Sequence, residues 1–303
     1  MAMDRLEAFA QDLALRDLAK VSANSTRWHV QRFLAWATQE GIDPEKGQRE
    51  DLLSYLACLR AKGLKTASMR NNFSALKNWY DFLIESGQLD HNPIPAIQKK
   101  YLKEFKDHPG RRQLISVEDA AKMVRATIDT RDRAILLVFL KTGIRRGELI
   151  SLDVEDVSLE GLSITLKETA KRSNRIVFFD EECKRPLSRW LEVSQARYKK
   201  PGERALFVSN KGTRLQTSSV DALVRTAGMR VRLHEEGGEL SHRFTPHCCR
   251  HYVTTHLLRA GMSREYVKWI RGDVMKEAID IYNHIDPEDV RESYLMHVPQ
   301  LGI

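Results

Sequence analysis

The chain has 303 residues, a length that predicts two domains of ordinary size, and 42% of its residues are hydrophobic, enough to form packed cores. It contains no apolar run of about 18 residues and its N-terminus lacks the apolar stretch of a secretory signal, so we expect neither a membrane span nor export. The net charge of +8 favours a polyanionic partner, and four scattered cysteines predict no disulfide framework, which fits the cytoplasm.

Residues 1–97 predict an almost entirely helical domain. Apolar side chains recur at helical spacing in four segments, over residues 4–16, 22–41, 51–63 and 67–87. Basic side chains, Arg70 among them, lie between these apolar stripes. Each alone is most simply a solvated surface residue, but as a group they can follow a phosphate backbone.

A basic linker is expected to join this domain to the next. Two prolines in the segment from His91 to Pro95 predict the end of the helical block. Residues 98–113 are rich in lysine and arginine, and we expect an exposed linker there that can lie along DNA. Its candidate DNA-binding residues are Lys99, Lys100 and Lys103.

Residues 114–303 predict a second domain of mixed structure. A capping sequence begins with Ser116 and leads into helical patterns. Alternating apolar residues over 162–166 and a β-like run over 175–179 predict a small antiparallel sheet, and a hairpin is expected near 206–214. The rest is mostly helical in pattern, so the fold class is mainly α with a small antiparallel sheet.

Four short segments of this domain contain residues suited to chemistry on a phosphodiester. They are Thr142–Leu149 (TGIRRGEL), Lys167–Lys171 (KETAK), His247–His251 (HCCRH) and Ile281–His284 (IYNH). Arginine guanidinium groups match phosphate geometry and stabilise charge in the transition state. A histidine can exchange a proton, a lysine can protonate a leaving oxygen, and a tyrosine hydroxyl can attack phosphorus to form a covalent intermediate. This chemistry requires no metal and no cofactor.

The ordered set of arginine, lysine, His-x-x-Arg and tyrosine resembles the tyrosine recombinases, the phage integrase and Xer-type group. The resemblance covers roughly residues 114–290, and residues 14–97 resemble the family's core-binding domain more loosely. It implies that Arg145 and Arg250 clamp the scissile phosphate, that His247 assists proton transfer and that Tyr282 is the nucleophile.

The resemblance also implies supporting roles. Glu148 would orient the first arginine, and His251 would belong to the supporting structure. Lys171 would protonate the leaving 5′ oxygen. Lys167 is the alternative, and Lys171 is preferred because it lies in the expected turn, four residues before the β-run.

The family's architecture leads to further expectations about assembly. Its two domains form a C-shaped clamp around double-stranded DNA carrying a specific site. Four protomers assemble on two sites and exchange C-terminal tails, with accessory DNA-bending proteins in some cases. Here the tail would be residues 286–303, with candidate anchors Tyr294, Leu295, Val298 and Leu301. The implied role is integration or excision of a mobile element, or resolution of replicon multimers, at the nucleoid.

One position departs from the family's pattern. Where the family has a histidine or tryptophan donor, about nine residues before the tyrosine, this chain has Asp273. Either the carboxylate turns from the phosphate and pairs with an arginine (Arg145, Arg250 or Arg271), or it is protonated and donates. The first alternative is preferred, with Lys268 or Trp269 supplying the missing contact.

Three other functions fit the sequence less well. A zinc site formed by His247, Cys248, Cys249 and His251 lacks a second ligand cluster in the sequence. A type IB topoisomerase shares the chemistry, but the N-terminal helical block favours a recombinase. An inactive DNA-binding regulator would not need the intact catalytic set.

Overall fold

The computed structural model describes residues 2–16, 18, 20–103, 113–168, 174–198, 200–273 and 285–303. The chain divides into two compact units, residues 1–107 and 108–303. The described residues form thirteen α-helices and one small antiparallel sheet, so the predicted fold class is confirmed. Within the described part of the chain, no helix is long and apolar enough to span a membrane.

The first unit is a helical bundle with an aromatic core. Its helices are α1 (Ala2–Leu15), α2 (Lys20–Gln39), α3 (Arg49–Ala61), α4 (Thr66–Glu85) and α5 (Ile94–Tyr101). The first four agree with the four predicted helices to within a few residues at each end. The rings of Phe9 and Trp79 pack edge to face with centroids 5.3 Å apart, and Phe33 packs on Tyr55 at 5.1 Å. Helix α2 thereby joins the other helices around one buried centre.

The prolines that predicted an end to the helices instead begin the fifth one. Pro95 lies in the first turn of α5, where a backbone N–H has no partner within the helix and proline costs nothing. The Asn92 side chain accepts a hydrogen bond from the Ile94 N–H at 2.9 Å. Ile97 and Leu102 are buried in the core of this unit. The expected linker from residue 98 is therefore wrong at its start, and its continuation over 104–112 lies outside the described residues.

The second unit contains the sheet and the remaining helices. Its strands are β1 (Val157–Ser158), β2 (Ser163–Thr165) and β3 (Ile176–Phe178), antiparallel in the order β1-β2-β3. Its helices are α6 (Val117–Arg125), α7 (Thr130–Thr142), α8 (Arg146–Ser151), α9 (Glu181–Arg197), α10 (Thr217–Arg230), α11 (Pro246–Arg259), α12 (Arg264–Arg271) and α13 (Pro287–His297). The predicted cap at Ser116 is confirmed, and the predicted hairpin is a bridge between Val208 and Arg214.

Helix α7 forms the centre of the second unit. Every residue from Ala134 to Thr142 is buried, and the helix packs against α6, α9, α11 and β3. A helix that is apolar on all sides lacks the one-sided stripe of a surface helix. The buried end of this helix at Thr142 thus fixes where the following turn begins.

The C-terminal segment packs on the second unit of its own chain. Tyr294, Val298 and Leu301, three of the four predicted anchors, are buried, and Leu295 is partly buried against the same core. The Tyr294 hydroxyl donates to the Lys141 carbonyl oxygen at 2.9 Å.

A buried charge cluster holds the last residues of this segment. The Lys141 ammonium, 1% exposed, contacts Asp180 and Glu182 at 2.6 Å each and donates to the Pro299 carbonyl at 2.7 Å. Glu182 also accepts the backbone N–H groups of Leu301 and Gly302. Burial by itself acts to raise the pKa of Glu182, but the Lys141 ammonium and these N–H groups lower it overall.

Candidate active site

Three of the predicted catalytic residues line one cleft of the second unit. The cleft has a volume of about 580 Å³, and Arg145, His247 and Arg250 form part of its wall. Further basic residues of the same wall are Arg146, Arg225 and His234. This clustering of positive charge suits a bound phosphate diester.

The turn between α7 and α8 sets the position of Arg145. Helix α7 ends at Gly143, whose φ of 63° is left-handed and favours glycine. A Cβ atom there would lie 3.3 Å from the Cβ atom of Val253 on α11, so the site is also tight. The turn places Arg145 at the N-terminal end of α8, beside the cleft.

Glu148 holds Arg145 through both its backbone and its side chain. One Glu148 carboxylate oxygen accepts the Arg145 backbone N–H at 2.6 Å, and the other contacts Arg145 Nη1 at 2.9 Å. Glu148 is buried, whereas the Arg145 side chain is 36% exposed. The carboxylate thus holds the arginine while leaving part of its side chain accessible from the cleft.

Arg250 is buried and held by two backbone carbonyl groups. It lies on α11, is 7% exposed, and donates from Nη1 to the Gly143 carbonyl at 2.9 Å and from Nη2 to the Arg271 carbonyl at 2.7 Å. A guanidinium group is rarely buried unless such partners are present. Arg250 therefore connects the turn that carries Arg145 with the end of α12.

His247 lies in the first turn of α11 and is exposed at the cleft. His251, one turn later, is exposed and lies 3.4 Å from the Thr255 hydroxyl. Cys248 and Cys249 are buried in the core, and burial raises the pKa of the Cys249 thiol. Because the two histidines are exposed and the two cysteines face the core, these four side chains do not form the tetrahedral set that zinc requires.

Asp273 lies beside two arginines of the site. Helix α12 ends at the left-handed Gly272, and Asp273 follows it. One Asp273 carboxylate oxygen is 2.9 Å from Arg271 Nε and the other is 3.6 Å from Arg250 Nη2. This is the arrangement of the first alternative, in which the carboxylate pairs with arginine. Trp269 stacks on Phe178 at 6.1 Å, so its ring packs against β3, and Lys268 is exposed.

Two predicted catalytic residues, Lys171 and Tyr282, lie outside the described residues. The alternative lysine, Lys167, follows β2 and forms ion pairs with Asp156 at 2.9 Å and Asp153 at 3.1 Å. Hydrogen bonds to Asp156 and then Asp153 raise the pKa of Lys167. A raised pKa makes an ammonium a weaker acid, which is opposite to the requirement of a proton donor.

Asn174 is a residue that the sequence analysis did not single out. It is 7% exposed and its amide donates to the Trp269 carbonyl on α12 at 2.8 Å. The position immediately before a β-run was the available signal, because asparagine there commonly bonds to the backbone two residues on.

The candidate DNA-binding residues of the first unit lie in and after α5 and on α4. Lys99, Lys100 and Lys103 are exposed, and the Lys100 ammonium lies 5.4 Å from the centre of the Tyr101 ring. Arg70 is partly buried. The three lysines can accordingly approach a polyanion at the surface of this unit.

Comparison with known proteins identifies the family. The phage integrase family model matches residues 112–289, more than half of the chain, and the phage integrase N-terminal SAM-like domain model matches residues 6–87. The chain belongs to the phage integrase family. It is a tyrosine recombinase, an enzyme of site-specific DNA recombination.

Individual relatives agree with this assignment. The tyrosine recombinase XerC of Haemophilus influenzae is 30% identical over 243 residues, 79% of this chain and 77% of that protein. Two solved structures share the fold at lower identity. The Tn1549 transposon integrase with circular intermediate DNA is 19% identical, covering 95% of this chain and 97% of that one, with a TM-score of 0.67. A lambda integrase tetramer bound to a Holliday junction is 17% identical, covering 93% of this chain and 76% of that one, with a TM-score of 0.69.

Proposed function

We propose that this tyrosine recombinase cleaves DNA by attack of the Tyr282 hydroxyl on a phosphodiester held by Arg145 and Arg250. The observation that carries the proposal is the convergence of Arg145, His247 and Arg250 on one cleft, with each arginine fixed by the protein. Donors that are already oriented stabilise the charge of the transition state without reorganising during the reaction.

The reaction consists of one bond exchange. The Tyr282 oxygen bonds to phosphorus while the bond from phosphorus to the 5′ oxygen breaks, which leaves a 3′-phosphotyrosine. His247 accepts the phenol proton, and Lys171 gives a proton to the departing 5′ oxygen. Attack by a 5′ hydroxyl of another strand reverses these steps and rejoins the DNA.

Two rival tyrosines of the same unit are enclosed in its core, which supports the choice of Tyr282. Tyr252 and Tyr294 are fully buried, and the Tyr294 hydroxyl donates to a backbone carbonyl of α7. Burial raises the pKa of both phenols. A phenol enclosed in the core cannot reach a phosphodiester.

The ion pairs of Lys167 support Lys171 as the acid. Lys167 is engaged by two carboxylates, and the resulting rise in its pKa opposes proton donation. Lys171 is the remaining lysine of the segment between β2 and β3.

The test uses a nicked suicide substrate that traps the covalent complex. We expect Tyr282→Phe to bind DNA as the wild type does and to form no adduct, whereas an adduct formed by this variant would contradict the assignment. A substrate with sulfur at the 5′ bridging position leaves without a proton. It should therefore restore cleavage by Lys171→Ala and leave Arg250→Ala inactive. Rescue of Lys167→Ala instead would transfer the acid role to Lys167.

The biological partner in this proposal is double-stranded DNA with a specific site, in the nucleoid. Four copies would act on two such sites and exchange the segment 286–303, and accessory DNA-bending proteins would assist. The tetramer of lambda integrase supports this stoichiometry. Sedimentation of the protein with a site-bearing duplex measures it, and footprinting identifies the site. The location of the footprint then distinguishes the two roles: a site at the end of a mobile element indicates integration or excision, and a site within a replicon indicates multimer resolution.

A further inference from the structure

Asn174 lies at the boundary between the segment that carries Lys171 and strand β3. Its side-chain oxygen accepts the Ile176 N–H at 2.7 Å, and its side-chain nitrogen donates to the Ile176 carbonyl at 2.7 Å and to the Trp269 carbonyl at 2.8 Å. The amide thus bonds on one side to its own strand and on the other side to α12. Because the residue is 7% exposed, water replaces these bonds poorly if they are lost.

Helix α12 also accepts a hydrogen bond from an arginine of the active site. Arg250 donates to the carbonyl of Arg271, two residues after Trp269, and the same guanidinium binds the Gly143 carbonyl. The last turn of α12 is therefore bonded to Asn174 from the sheet and to Arg250 from α11. The Asn174 bond therefore acts together with the Trp269–Phe178 stacking to hold the start of β3 against the end of α12, beside the phosphate-clamping arginine.

The chain just after β2, at the other end of this segment, is held by a separate set of contacts. Lys167, directly after β2, is paired with Asp153 and Asp156, which follow α8. The Arg175 side chain donates to the Leu166 carbonyl at 3.0 Å and closes the two strands. Lys167 thus connects the residues after β2 to the residues that follow α8, whereas Asn174 connects the residues before β3 to α12.

We propose that Asn174 is a positioning residue for proton donation: by binding the Trp269 carbonyl it fixes the chain just before β3, three residues after Lys171, relative to the Arg250 clamp. This inference rests on the proposed acid role of Lys171. Misplacement of a reacting group by about 1 Å costs on the order of 100-fold in rate. Loss of the Asn174 contact should therefore slow leaving-group departure while many other contacts continue to hold DNA.

The first experiment compares two substrates. We expect Asn174→Leu to slow single-turnover cleavage of ordinary DNA by about 10- to 100-fold, with DNA affinity within about twofold of the wild type. The 5′ bridging sulfur substrate should restore most of the lost rate, because that leaving group needs no proton. The control is Asn92→Leu in the first unit, since Asn92 likewise accepts the N–H two residues on, that of Ile94, and donates to a distant carbonyl, that of Lys77, as well as to the Asp81 carboxylate. It should cleave both substrates at nearly the wild-type rates.

The second experiment varies the pH and does not require the protein to fold with leucine at position 174. In Asn174→Asp an oxygen replaces the nitrogen that faces the Trp269 and Ile176 carbonyl groups. An ionised carboxylate cannot donate to either of them, but a protonated one can donate to one. The cleavage rate of this variant relative to wild type should therefore rise as the pH falls from 7.5 to 5.5.

The outcomes separate this inference from the proposed function. Rescue of both Lys171→Ala and Asn174→Leu by sulfur supports the inference. Rescue of Lys171→Ala alone overturns it and leaves the acid role intact, since Asn174 would then act on another part of the site. Failure to rescue Lys171→Ala removes the acid role and the inference with it. If Asn174→Leu does not fold, a flat pH ratio for Asn174→Asp overturns the inference.

Discussion

Replacing Asp273 with asparagine removes a charge from the arginine cluster while keeping the shape of the side chain. Asp273 contacts Arg271 at 2.9 Å and Arg250 at 3.6 Å. It follows the left-handed Gly272 and its backbone N–H donates to the Lys268 carbonyl, so the backbone holds it in place irrespective of the side chain. The substitution therefore tests the charge itself.

The size of the effect follows from distance and exposure. Unit charges 3.6 Å apart attract by about 1 kcal/mol in a water-like dielectric and by about 4 to 5 kcal/mol at an effective dielectric of 20. The Asp273 side chain is 37% exposed, so solvent screening favours the lower figure. A loss of about 1 kcal/mol in the orientation of Arg250 corresponds to about a fivefold slower cleavage. DNA affinity should stay constant or rise, since the removed carboxylate repels phosphate.

The assay is single-turnover cleavage of the suicide substrate between pH 5.5 and 8.5, with Glu155→Gln as the control. Glu155 pairs with Arg204 on the surface of the same unit, and its loss should leave the rate unchanged. Asp273→His should be tolerated at least as well as Asp273→Ala, because imidazole can donate to the phosphate. A wild-type rate that collapses through one ionisation as the pH rises, and does not do so in Asp273→Asn, would refute the arginine-pairing explanation. That result would mean that Asp273 acts as a protonated donor.

Two further predictions concern the clamp and the C-terminal segment. Arg145→Ala and Arg250→Ala should each slow cleavage by about 10²–10³-fold with little change in a gel-shift affinity, and equal small losses in both measurements would contradict a transition-state role. Arg250→Ala should also lower the melting temperature more than Arg145→Ala, because it alone leaves two backbone carbonyls without their donor. Glu182→Gln should lower the melting temperature at pH 7. Folding lowers the pKa of Glu182, so the carboxylate stabilises the fold fully above its unfolded pKa of about 4.3 and loses that stabilisation as the pH falls through its folded pKa. Calorimetry should therefore find that the difference in melting temperature between wild type and Glu182→Gln narrows below about pH 4.

Local features of the site could be predicted from the sequence. The glycine at the end of α7 and the glutamate three residues after Arg145 lie within one short motif, so their relation depends on nearby residues alone. The partners of Arg250 could not be predicted in this way. Its two carbonyl acceptors, on Gly143 and Arg271, are 107 and 21 residues away in the chain, and only the packing of α11 against α7 and α12 brings them together.

The fold shows the same division between local and long-range causes. Strands β2 and β3 could be predicted locally, β2 from the alternating apolar residues over 162–166 and β3 from the β-like run over 175–179. The prolines between residues 91 and 95 predict the end of the helical block, yet Pro95 lies in the first turn of α5, where proline is compatible with a helix. The burial of Lys141 could not be predicted from its neighbours in sequence. The carboxylates that compensate its charge belong to Asp180, which caps α9, and to Glu182 in the first turn of α9.

Gly143 links the two arginines without contributing any side chain. Its left-handed backbone directs the chain toward Arg145, and its carbonyl oxygen binds Arg250. Alanine at this position would meet a left-handed penalty of about 1–2 kcal/mol and press on Val253. In a genetic screen for recombination-deficient alleles, this glycine should be recovered together with the catalytic residues. The mutant proteins should still occupy their DNA site without cleaving it.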